Sequence, residues 1–187
     1  FDTIANIFKI EELRDRILLT LGLILVYRLG SFVVLPGVDP IVLEEASEGA
    51  TGLAALLNIF AGGAFSRASV FALGIMPYIS ASIIMQLLGI AVPAVQKMQK
   101  EGESGRRKIN QYTRFLTLPL SIAYSIGYII LISNSVPGLI PLNSESGILL
   151  QQGQYLSLYK LAFMTTVLTA GAMVIMWLAE LITEQGI

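Results

Sequence analysis

The chain has 187 residues, of which 55% are hydrophobic and only 13% charged, with a mean hydropathy of +0.73. A soluble globular domain carries about 25% charged residues, so that class is excluded, and apolar residues gathered in long runs mark a helical membrane protein. Net charge is −1, and the absence of Cys and His removes thiol chemistry, disulfides and the common metal ligands.

Residues 1–16 are polar and amphipathic, with Ile4, Ile7, Phe8 and Leu13 at helical spacing. This predicts a helix lying at the headgroups, with Asp2 or Thr3 as its cap. The chain opens on Phe1, so its start is expected to be trimmed. A first span is expected over 17–35, roughly 28 Å long at the helical rise. It is too long for the apolar core of a cleavable signal peptide, and no small-residue cleavage site follows it. Arg28 lies toward its outer end and is expected to snorkel or to pair with a neighbouring helix. Pro36-Gly37 and Asp39-Pro40 stop the helix. From there to Gly52 the chain is polar and acidic, with Asp39, Glu44, Glu45 and Glu48.

The stretch 53–88 organises the rest. Its opening apolar run is about half the twenty residues a spanning helix needs, and Gly62-Gly63 then breaks it. Ser66, Arg67 and Ser69 follow, and the second span is expected over 69–92. A short apolar segment, a glycine hinge, one charge and a full span describe a half-helix, over 53–63, that dips into the membrane and turns back. Irregular backbone at that depth is tolerated only where protein or a water-filled cavity receives it.

Within the second span Ile75, Ile79, Ser82 and Gln86 fall on one helical face. Ile75 and Ile79 alone are compatible with lipid contact. Ser82 and Gln86 favour a helix interface or a wet vestibule, because an amide in hydrocarbon is costly. Pro77 is expected to bend this helix. A basic loop follows over 93–114, carrying Lys97, Lys100, Arg106, Arg107, Lys108 and Arg114. Such a cluster suits nucleic-acid phosphates, but beside a span it more commonly sets topology and touches headgroups. The third span is expected over 113–133, then a loop rich in Pro, Gly and Ser, then the fourth over 155–182, with Glu180 and Glu184 at its end. Basic residues cluster before span one and between spans two and three, so the positive-inside rule places both ends and the 93–114 loop in the cytoplasm.

No Gly-rich phosphate loop, catalytic triad or HExxH site is present, and no pair of carboxylates lies within a span. No enzyme activity, metal or cofactor is therefore expected. A secondary transporter remains the alternative, since transporters also use broken helices at the midplane. Transporters surround the break with solute-binding groups, however, and here it is flanked by Phe60, Ala61 and apolar neighbours.

The segments LPGVDP, NIFAGGAFSRASVFALGIMPYISASIIMQLL, KEGESGRRKINQYTR and MWLAELITEQGI, in this order, resemble the SecY family of bacterial protein-conducting channel subunits. That resemblance implies ten membrane helices in two pseudosymmetric halves, with an hourglass pore between them and a lateral opening toward lipid. The half-helix resembles the plug, at Asn58, Ile59, Phe60, Ala61, Gly62 and Gly63. Ile75 and Ile79 match positions of the apolar pore ring. Ser80, Ile83, Ile84 and Gln86, with Ile122 and Ile126 of the third span, match the lateral gate. A fifth helix is expected beyond Ile187, which makes this chain the amino-terminal part of such a channel.

The implied partners are small membrane subunits like SecE and SecG, a ribosome or SecA-type motor, secretory and membrane polypeptides, and the lipid bilayer. A membrane insertase or chaperone joins them if the chain is a true fragment. The implied location is the bacterial inner membrane, as a multi-pass protein.

Overall fold

The computed structural model describes residues 11–39, 67–135, 148–149 and 155–185. The expected plug segment 53–63 and residues 1–10 lie outside the described residues. Among the described residues five helices carry the fold: α1 (Glu11–Gly30), α2 (Met76–Ala91), α3 (Pro93–Lys100), α4 (Glu103–Ser135) and α5 (Leu158–Gln185). A two-residue antiparallel ladder, β1 (Ile148–Leu149) with β2 (Tyr155–Leu156), precedes α5.

Residues 11–16 run without a break into the first apolar stretch, so α1 carries its charges on the same helix. It ends at Gly30, earlier than the sequence predicts. Ser31 Oγ donates to the Arg28 carbonyl at 2.7 Å, and the chain then turns. The β-branched Val33 and Val34 favour extended backbone. They pair with a second irregular segment: Leu35 N–H donates to the Ala68 carbonyl at 2.8 Å, and Val70 N–H to the Val33 carbonyl at 2.9 Å. Two non-helical segments thus satisfy each other's backbone, as a membrane interior requires.

The second span also differs from expectation. Arg67 to Ile75 form turns, with left-handed backbone at Ala68 (φ 42°) and Gly74 (φ 55°), and helix begins only at Met76. Pro77 therefore sits in the first helical turn, where its missing N–H costs nothing. It starts the helix instead of bending it. The bend lies at the other end, where α2 and α3 meet at 100°. Val92 between them is extended (φ −111°, ψ 115°). Pro93 imposes this, because a proline disfavours helical backbone in the residue before it.

The expected basic loop is mostly helix. α3 occupies 93–100, Gly102 turns the chain with φ 71°, and α4 starts at Glu103. With 33 residues α4 is about 50 Å long. The apolar core of a bilayer is about 30 Å thick, so its charged amino-terminal turns extend beyond it. α4 and α5 are each long and apolar enough to cross a membrane, and the bent pair α2–α3 is a third candidate if taken as one span. Four spans are expected from the sequence; among the described residues two helices meet that requirement outright.

α4 is the central post, packed by α2 and α3 and by α5, while α1 lies against α5. One of its faces repeats Thr113, Thr117, Ser121 and Ser125, all buried. Each hydroxyl donates to a carbonyl one turn back, at 2.7–2.9 Å, which satisfies it inside the helix. Small, self-satisfied side chains let neighbouring helices approach closely in lipid.

The principal core joins the irregular segments to α4 and α5 through Leu35, Ala68, Ala72, Leu73, Ile129, Met164 and Leu168. Gly171 receives the Val70 carbonyl and Gly30 receives the Phe71 ring. A Cβ at either position would run into that group.

Candidate channel-facing surface

α2 presents one strip outward. Ile79, Ile83, Leu87 and Ile90 are 40%, 51%, 59% and 79% exposed, and Gln86 is exposed beside them. The spacing of Ile79, Ile83, Gln86 and Ile90 places them on a single helical face. Its opposite side carries the buried Pro77, Ala81, Met85 and Gly89, small or flexible residues suited to packing on α4.

The predicted face of Ile75, Ile79, Ser82 and Gln86 is thus rotated and shifted. Ile75 precedes the helix, its carbonyl accepting from the Ile79 N–H at 3.0 Å. Its half-buried side chain packs against the Phe71–Ile175 cluster, which also holds Tyr27 stacked on Phe71 at 5.8 Å between centroids. Gln86 Nε2 donates to Ser82 Oγ at 3.4 Å, so the two polar groups partner each other along the helix. Leu87 and Ile90 extend the strip beyond the residues singled out from sequence. The same i, i+4, i+7 periodicity, continued one turn, identifies them.

The candidate gate residues divide between two surfaces. Ser80 Oγ lies 3.1 Å from Tyr124 Oη, a hydrogen bond joining α2 to α4. Ile83 and Gln86 are exposed and Ile84 is half-buried. Ile122 and Ile126 instead line a groove between α4 and α5. The two sets face different neighbours in this structure.

At the end of α1 two guanidinium groups share one ring. Arg67 Cζ lies 4.6 Å and Arg28 Cζ 5.3 Å from the Phe32 centroid. Cation–π attraction of this kind grows when the pair is desolvated. Arg67 Nη1 is buried without a hydrogen-bond partner among the described residues.

The family model for SecY matches residues 69–187, from the irregular segment through α5. The chain belongs to the SecY family. Similar relatives carry the name protein translocase subunit SecY. Those of Buchnera aphidicola (subsp. Acyrthosiphon kondoi) and Escherichia coli K12 are each 48% identical over 177 residues. Both alignments take in 94% of this chain, but 47% and 38% of the respective relatives. The Streptomyces coelicolor relative is 44% identical over 98% of this chain and 41% of its own length. The chain therefore spans less than half the length of these SecY relatives.

Proposed function

We propose that this chain is the amino-terminal part of a channel subunit that passes unfolded polypeptides across the bacterial inner membrane and releases apolar segments sideways into lipid. The observation that carries this reading is the outward strip Ile79–Ile83–Leu87–Ile90 on α2 of a SecY-family chain. Branched apolar side chains along a conduit touch a passing chain without holding it by hydrogen bonds, and they dewet a constriction against ions. A transporter or an enzyme would need convergent polar or titratable groups there, and Gln86 with Ser82 is the strip's polar content.

In this proposal Ile75 and Ile79 contribute to the pore ring, and residues 58–63, outside the described residues, form the plug. Ser80, Ile83, Ile84, Gln86, Ile122 and Ile126 belong to the gate region. Both ends of the chain are cytoplasmic. Small membrane subunits like SecE and SecG surround it, and a ribosome or a SecA-type motor supplies the polypeptide.

Cysteines at Ile79 and Ile83 test the proposal in the full-length channel holding an arrested secretory chain. Crosslinks from both positions to the arrested chain are expected. If both react only with lipid-soluble reagents and neither touches the arrested chain, the strip faces lipid and the proposal fails.

A further inference from the structure

An apolar stripe runs along the open side of α1. Leu18, Leu21, Leu25 and Leu29 are each more than half exposed, at the spacing of one helical face. Phe32, 55% exposed, continues the stripe past the end of the helix, where its N–H donates to the Leu29 carbonyl at 3.2 Å. Two cations meet the stripe there. Arg28 is exposed beside Leu29. Arg67, half-buried, comes from a distant part of the chain and is held in place by the pairing of Ala68 with Leu35. Both guanidinium carbons lie within 5.3 Å of the Phe32 centroid.

The ring attracts these charges but does not neutralise them. None of the ion pairs among the described residues includes Arg67, and its Nη1 has no hydrogen-bond partner there. An unpaired cation beside lipid is costly. Arg16 is the last residue of the charged end of α1, and Phe32 lies roughly 24 Å further along at the helical rise. The apolar layer is about 30 Å thick, so the guanidinium pair stands roughly 6 Å short of its far boundary. Snorkelling side chains and local thinning of the layer close gaps of this size. At that boundary, continuous with the hydrocarbon that would cover the stripe, lies the phosphodiester of a phospholipid. It supplies a negative charge, and its two unesterified oxygens suit planar guanidinium forks.

We infer that Arg67 and Arg28 hold the phosphate of one phospholipid over Phe32, in the leaflet opposite the charged end of α1, with the acyl chains lying along the α1 stripe. This inference rests on α1 crossing the membrane, as its sequence predicts, and is independent of the channel reading.

The probe is phosphatidylglycerol with a diazirine on its headgroup, added in trace to phosphatidylglycerol vesicles that hold the full-length subunit in its native complex. Light should attach the label to the peptide containing Phe32. Arg67→Gln should lower that label about tenfold, the factor for one charge-assisted hydrogen bond. Arg67→Lys, which keeps the charge, should retain most of it, and Lys100→Gln in α3 should leave it unchanged. A large excess of inorganic phosphate should not compete. No label at Phe32, or equal label with and without Arg67→Gln, would overturn the inference. So would equal loss with Arg67→Lys or Lys100→Gln. Displacement by inorganic phosphate would also overturn it, by making a soluble anion the occupant.

Discussion

Arg114 Nε donates to Glu180 Oε1 at 2.6 Å, joining α4 to α5 across 66 residues of sequence. Glu180 is 18% exposed at its side chain and Arg114 45%. The contact therefore differs from Arg107–Glu103, whose side chains are 81% and 84% exposed. A short charge-assisted bond to a mostly buried carboxylate persists where an exposed pair is screened.

Arg114→Ala should accordingly lower stability by about 1 kcal/mol, at the upper end of what partly exposed pairs contribute. Arg107→Ala should change it by much less. Denaturation midpoints in one detergent, with the Arg114→Ala/Glu180→Gln double mutant closing the cycle, measure the coupling. Equal losses from both arginine variants would show that the α4–α5 contact carries no special weight.

Two glycines should respond in opposite ways. Gly171 meets the Val70 carbonyl, and backbone cannot yield as a flexible side chain can, so Gly171→Ala should cost about 1–3 kcal/mol by overpacking. Gly127 sits inside α4 with open space where a Cβ would go. Gly127→Ala should cause no loss and a gain of up to about 1 kcal/mol from helix propensity. Unfolding midpoints of the two variants check the pair. A harmless Gly171→Ala would mean that the irregular segment is not pressed against α5.

The orientation expected from the charges can be checked at two serines. Ser104 lies in the first turn of α4 among basic residues, and Ser157 immediately precedes α5, at the far end of the α4–α5 pair. The positive-inside rule puts Ser104 in the cytoplasm. Single cysteines at the two positions should label from opposite faces of sealed vesicles. Labelling of both from one face would refute the topology.

The long apolar runs made α4 and α5 legible in the sequence, since length and hydropathy alone define such helices. The ends of spans one and two were not legible. Val33–Leu35 and Ala68–Val70 are apolar enough to pass for helix, yet they satisfy their backbone against one another. That pairing is a tertiary fact with no local signature. The Thr113–Thr117–Ser121–Ser125 face was not singled out from the sequence, and its meaning depends on each hydroxyl bonding its own helix. On the candidate surface, Ile79, Ile83 and Gln86 share the exposed strip as their spacing allows. Ile75 departs from it because the helix starts one residue later.

Pro93 is the residue on which the shape of the α2–α3 pair turns. It holds Val92 in extended backbone, and α3 leaves α2 at 100° with Lys97 and Lys100 in its last turn. Pro93→Ala removes the steric bar against helix at Val92 and restores an N–H at position 93. The two helices should then fuse, or sample a fused form. Spin labels at Ile79 and Lys100 report the change, since an unbroken helix would hold their backbones about 32 Å apart at the helical rise. The bent form brings them closer, so the substitution should lengthen the measured distance and move the exposed lysines along the α2 axis. An unchanged distance would show that packing of α3 on α4 fixes the bend, with Pro93 only accommodating it.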